Sequence, residues 1–202
     1  LEQFSEICMK DCYYCGESAE ENVSGKMITN GVDKMDFDED YCEENVLPCC
    51  STCNMSKGCM HPYVFIMKVQ HIAFYNGLID DNFKYPEIFK GSKRQTSYNT
   101  YMKRAKSKNL KFELSKEQFN EMTKLGTEGY ICGNSGIKLG IDRFNNDLGY
   151  TLDNIKSTCS DCNYLKRDLV YNNFMMKISK IALNHSNFDS RNYTPSFKHT
   201  RN

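Results

Sequence analysis

Paired cysteines are the residues best placed to do chemistry in this chain. Cys12 and Cys15 form CYYC, Cys50 and Cys53 form CSTC, and Cys159 and Cys162 form CSDC, with Cys132 beside a glycine upstream of the last pair. Two residues between thiols give the bite that lets two such pairs close on one tetrahedral Zn²⁺. The chain holds 11 cysteines, and Leu1 opens a polar stretch with no basic-then-apolar leader. A secreted disulfide framework is therefore the weaker account. We expect Cys12, Cys15, Cys50 and Cys53 to hold a structural zinc in a reducing, intracellular compartment.

The chain repeats itself. NGVDKMDFDEDYCEENVLPCCSTCNMSKG (30–58) aligns without a gap on LGIDRFNNDLGYTLDNIKSTCSDCNYLKR (139–167) at an offset of 109. The register runs on from FIMKVQHIA (65–73) to FMMKISKIA (174–182). Upstream, EQF at 2–4 matches EQF at 117–119 and Cys15-Gly16 matches Cys132-Gly133, the first copy carrying eight more residues in the loop that follows. This reads as a tandem duplication, and we expect a first unit over 1–79 and a second over 80–202 with a basic helical lead-in. The copies differ in one place that matters. Gly129 stands where the first has Cys12, leaving Cys132, Cys159 and Cys162 with no fourth ligand at a diagnostic spacing. The counterpart of 96–119 would fall before Leu1, and no initiator Met is present; both observations suggest a piece of a longer chain.

Within each copy the polar residues keep fixed distances. An aspartate (Asp33, Asp142) is followed at once by a base (Lys34, Arg143), then by a tyrosine 8 residues on (Tyr41, Tyr150), an asparagine 12 on (Asn45, Asn154) and a second asparagine 21 on (Asn54, Asn163), next to the CxxC. An aspartate and an amide oxygen on an adjoining strand and helix can share one hard divalent cation such as Mg²⁺ or Mn²⁺. Such an ion neutralises a scissile phosphate and its departing oxygen.

These residues need a frame. Gly-Val/Ile-Asp reads as a short strand, and Cys-x-x-Cys-Asn-x-x-Lys as the start of a helix. Further helices are expected at about 62–78 and 172–184, where Phe65, Val69, Ile72 and Ala73, and Phe174, Ile178, Ile181 and Ala182, fall at helical spacing and read as core. Ser115 to Gln118 is a capping box opening a helix through about Lys124. A helix at about 97–109 sets Tyr98, Tyr101, Met102 and Ala105 against Lys103, Arg104, Lys106 and Lys108; tyrosines interleaved with bases suit a phosphate backbone, and a solvated amphipathic face is the alternative. The fold class expected is α+β: two small zinc-knuckle units joined by helices.

Charge and hydropathy narrow the partners. Lys and Arg balance Asp and Glu at 26 each, yet residues 1–45 hold 13 acids against 3 bases and residues 84–116 hold 10 bases against 2 acids. The basic band could neutralise several phosphates, whereas the acidic block would repel them. The longest apolar run, YVFIM, is far short of the roughly 20 residues of a membrane span.

The combined Asp, base, Tyr, Asn and CxxCN spacing resembles the HNH, or ββα-metal, endonucleases with a zinc-knuckle scaffold, over about residues 2–58 and 96–168. The resemblance implies a metal-dependent endonuclease on double-stranded DNA. Asp142 and Asn163, or Asp33 and Asn54, would be the metal ligands, Asn154 and Asn45 would orient the loop, and Arg143 or Lys34 would stand where most members place a histidine. Neither is deprotonated at neutral pH, and Tyr150 or Tyr41 would take over activation or attack, as a rare-cutting restriction enzyme of similar pattern is thought to do. Lys103, Arg104, Lys106 and Lys108, with Lys57 and Lys166, form the expected DNA-binding set. The second copy is the expected catalyst, because Asp36, Asp38, Glu39 and Asp40 crowd the first. Two units in one chain would mimic a two-fold dimer. A DNA-binding module that no longer cleaves, and a zinc-stapled part of a larger assembly, are the alternative functions.

Overall fold

The computed structural model describes residues 2–21, 27–80, 84–93 and 96–188. The first unit runs α1 (Glu2–Cys8), a β1–β2 pair (Glu20–Glu21, Met27–Ile28), β3 (Gly31–Lys34), β4 (Val46–Cys49), α2 (Ser51–Lys57) and α3 (Pro62–Tyr75). The second runs α4 (Tyr98–Ser107), α5 (Lys116–Met122), β5 (Leu139–Arg143), β6 (Ile155–Cys159), α6 (Ser160–Lys166) and α7 (Tyr171–Asn184). The architecture is mixed α and β, with seven α-helices and three two-stranded antiparallel sheets among the described residues.

The two main hairpins follow the same register. Asp33 pairs with Leu47 and Asp142 with Lys156, so each aspartate sits near the end of its first strand. Each second strand passes directly into a helix begun by the CxxC itself. At α6 the Cys159 sulfur accepts from the Cys162 N–H, a cap supplied by a prospective metal ligand. Both helices end in a left-handed residue, Gly58 and Arg167.

Helix starts follow the sequence closely. The Ser115–Gln118 capping box is present in full at α5, Ser97 caps α4, and Pro62 opens α3 at the first turn, where its missing N–H costs nothing. Within α4 the expected grouping is corrected. Tyr101 and Ala105 are buried, Tyr98 donates to the Leu114 carbonyl, and Met102 lies outside with the bases. Both tyrosines are therefore chiefly packing residues, although Tyr101 also lines the cleft of the second unit.

Helices α3 and α7 pack against each other, and their apolar stripes meet in one core that takes residues from both units. Each helix also reaches over to the other unit's knuckle. At the end of α7, Asn184 and the C-cap His185 bond the Tyr13 carbonyl; in α3, His71 bonds the Cys132 carbonyl, and the C-cap Asn76 bonds that of Ile131. Knuckle glycines Gly16 and Gly133 have positive φ and lie under Asn184 and Tyr75 respectively, where a side chain would strike the helix end. A smaller core of Tyr101, Leu114, Phe119, Ile141 and Ile155 belongs to the second unit alone.

Candidate functional site

The hairpin-to-helix turn gathers the thiols. Cys12, Cys15, Cys50 and Cys53 bring four sulfurs within 4.8 Å of one another, three of the residues buried, and Cys132, Cys159 and Cys162 bring three, all buried. Both groups could hold zinc structurally, and the four-thiol set has the donor number a closed tetrahedral site needs. Hydrogen bonds from Cys159 and Cys162 favour the thiolate at Cys132, pulling its titration down to about 4. Over the first cluster, Lys177 of α7 points its ammonium at the sulfurs of Cys15 (3.6 Å) and Cys50 (4.0 Å) while paired with Glu17. Its counterpart Lys68 meets Asp161 of the second knuckle. A cation close to clustered thiolates offsets their mutual repulsion.

Beside each knuckle the strand aspartate is buried. Asp33 Oδ1 accepts from Lys57 Nζ at 2.9 Å and Oδ2 from the Tyr14 hydroxyl at 2.6 Å. Burial pushes the Asp33 carboxyl up, against the pull of Lys57. At Asp142 both contacts fall on one oxygen: Oδ2 forms an ion pair with Lys166 at 3.0 Å and accepts from the Tyr130 hydroxyl at 2.6 Å, while Lys166 donates to the Arg143 carbonyl. No donor among the described residues reaches Oδ1. The phenols of Tyr14 and Tyr130 are driven up, first by burial and then by the carboxylate beside each.

Lys57 and Lys166 are thereby corrected. The expectation placed them on DNA, but they are 1% and 0% exposed, so neither can reach a phosphate. Each lies 24 residues after its aspartate in both copies, a constancy that could have marked them as internal partners. The tyrosines were less legible: by the Cys-Gly register Tyr13 aligns with Tyr130, yet it is Tyr14 that bonds the first aspartate.

The strand-connecting loops are built alike. Asn154 accepts from the Asn145 N–H and donates to the Asn145 and Gly149 carbonyls; Asn45 does the same with Asp36 and Asp40. Both asparagines are buried loop ties. The base after the aspartate also braces the loop: Arg143 donates to the Asn146 and Leu148 carbonyls, Lys34 to those of Phe37 and Glu39. Tyr150 lies under the Arg143 guanidinium, 5.3 Å from ring centroid to charge, and Tyr41 under Lys34 at 5.1 Å. Both tyrosines sit in the loops.

The units part company at the surface. In the second, Asp142, Arg143, Tyr150 and Asn163 open onto one cleft of about 480 Å³, where Arg104, Lys108, Lys138 and Arg167 add positive charge against Asp168. In the first, Asn54 turns its amide to the Val32 carbonyl and lines a separate hollow that Asp33 does not reach. Lys103 and Lys106 are exposed on α4 outside the cleft lining. None of the described helices is long and apolar enough to cross a membrane.

No family model matches the chain, and no solved structure matches it. Among curated proteins it is 34% identical over 194 residues to an uncharacterized protein of Acanthamoeba polyphaga mimivirus. The alignment takes in 92% of this chain but 34% of the viral protein, so the chain spans about a third of the length of that relative.

Proposed function

We propose that the second unit is the catalytic centre of an HNH-type, metal-dependent endonuclease acting on double-stranded DNA, and that the first is its zinc-stapled structural partner. One observation carries this reading. The Asp142 carboxylate, whose Oδ1 has no donor among the described residues, lines a cleft shared with Asn163 and Tyr150 and bordered by Arg104, Lys108, Lys138, Arg143 and Arg167. A cleft with that excess of cations attracts a phosphate backbone.

Asp142 and Asn163 are the residues that would hold a divalent ion, and such an ion supplies neutralisation of charge at the phosphate. The chain's own residues do the rest. Asn154 and Arg143 fix the loop, the loop carries Tyr150 into the cleft, and Arg104 of α4 and Lys108 at its C-cap orient the backbone. Cys12, Cys15, Cys50 and Cys53 would hold zinc as a brace, since a unit this small has little core of its own; Cys132, Cys159 and Cys162 would do so with an open fourth position.

The test is cleavage of supercoiled plasmid with Mg²⁺ or Mn²⁺. Nicking or linearisation that disappears in Asp142→Ala and Asn163→Ala, but survives in Asp33→Ala, supports the assignment. A second reading, duplex binding without cleavage, is favoured by the Lys166–Asp142 pair, which already neutralises the carboxylate. Binding by the unmodified chain, with no cleavage under either metal, would establish that reading instead.

A further inference from the structure

The duplication allows one unit to be read against the other, and a surface differs. In the second unit, Phe119 of α5, Ile141 of β5 and Ile155 of β6 are sealed beneath α4, whose Tyr98 and Tyr101 supply the cover. The matching residues of the first unit are Phe4 of α1, Val32 of β3 and Val46 of β4. There they line an open groove of about 500 Å³ together with Ile7 and Tyr41. Phe119 is 3% exposed and Phe4 55%. Nothing among the described residues does for the first unit what α4 does for the second.

We infer that this groove is a docking site for a basic amphipathic helix of the α4 kind, seating two aromatic side chains against α1, β3 and β4. Two features argue for that occupant. The wall is apolar in the same places as the seat of α4. The rim is acidic, with Asp36, Asp38, Glu39, Asp40, Glu43 and Glu44 in the adjoining loop and turn, whereas α4 and its C-cap carry Lys103 and Lys106 outward and Arg104 and Lys108 toward the cleft beside the matching loop. Opposite charges at a rim speed and orient docking.

One difference limits the occupant to a helix. After α4 the chain runs extended against the second loop, the Tyr150 N–H donating to the Lys111 carbonyl, and this approach depends on Gly149, where a Cβ would collide with that carbonyl. The first unit has Asp40 in the corresponding place. An extended tail therefore cannot seat there in the same way.

The experiment uses the whole chain and a labelled synthetic peptide of residues 96–110, read by fluorescence anisotropy. Saturable binding is expected, and Phe4→Glu with Ile7→Glu on α1 weakens it at least about tenfold. A peptide with Lys103, Arg104, Lys106 and Lys108 changed to Gln should also bind more weakly, with less salt dependence. Circular dichroism checks that the double variant is folded; if it is not, Phe4→Ser alone replaces it, with a smaller loss expected. The inference is overturned by three results: no binding up to about 1 mM, equal affinity for the folded variant, or self-association of the unmodified chain abolished by Phe4→Glu. The last would assign the groove to a second copy.

Discussion

Lys166 spends its ammonium on Asp142, 3.0 Å from Oδ2 with its side chain fully out of solvent, and Lys57 does the same for Asp33 at 2.9 Å. Removing one member of a buried pair leaves the other charge uncompensated, at a cost of about 3–5 kcal/mol. Lys57→Met should therefore destabilise the protein by that order in urea unfolding, and adding Asp33→Asn should recover much of the loss. In the second unit, Lys166→Met should make stability depend on Mg²⁺, because the freed carboxylate then needs another cation. Equal melting temperatures with and without Mg²⁺ would argue against the proposed role of Asp142 as a metal ligand.

The first knuckle offers four thiols and the second three. A Cβ placed on Gly129 would lie 3.7 Å from the Cys132 sulfur, and the backbone there does not have positive φ. Gly129→Cys should thus complete a tetrahedral site, raising zinc content toward two per chain or, if the three thiols already hold an ion, slowing its loss to a chelator. Unchanged stoichiometry and unchanged chelation kinetics together would show that the second cluster is a packed thiol core.

Zinc removal is the broader test. A strong chelator, or Cys50→Ser, should unfold the first unit, since structural zinc is worth on the order of 10 kcal/mol of folding free energy. Because α7 packs on that knuckle, Tyr171–Asn184 should lose hydrogen-exchange protection at the same time. A chain that contains no zinc, with Cys12 and Cys15 joined in disulfides, rules out the metal altogether.

Asn154→Ala strips one acceptor and two donors from the loop. Each buried group left without a partner costs about 1–3 kcal/mol, so a drop of several degrees in Tm is expected, with faster amide exchange confined to 144–151. Cleavage, if present, should fall with it, because Tyr150 rides on the same loop. Asn45→Ala should match the stability loss while leaving cleavage intact; a loss of cleavage in Asn45→Ala but not in Asn154→Ala would transfer the catalytic role to the first unit.

Burial holds the His185 imidazole below its ordinary value near 6.5. The unfolded chain then takes up a proton that the folded chain refuses. The stability contributed by the neutral ring is present above the unfolded value and lost as pH falls through that value toward the depressed folded one. Between about pH 7.5 and 5.5, stability should decline more steeply in the unmodified chain than in His185→Gln. Parallel slopes would mean that other groups set the acid response.

Much of this was legible in the sequence because the duplication acts as an internal control. Asn45 and Asn154, at a fixed offset in both copies, kept their geometry as well as their spacing, and Asp33 and Asp142 each kept a buried lysine partner. Helix starts were readable wherever one residue type satisfies a local N–H, as at Ser97 and Ser115. Lys57 and Lys166 were misread because a lysine at a helix end ordinarily faces water, and only a partner distant in sequence reverses that. The contacts of His71, His185 and Lys177 were not readable at all, since they join each helix to the other copy's knuckle and no local pattern encodes a contact across more than 60 residues.

The exchange of α3 and α7 has a consequence in time. During synthesis the last helix emerges 109 residues after its counterpart, roughly 5–20 s later at ordinary elongation rates. Until then the first cysteine cluster lacks Lys177 above Cys15 and Cys50, and the Tyr13 carbonyl lacks His185. The N-terminal half is made first but finished last, so any metal it takes up before α7 arrives is held by thiols still open to solvent on that side.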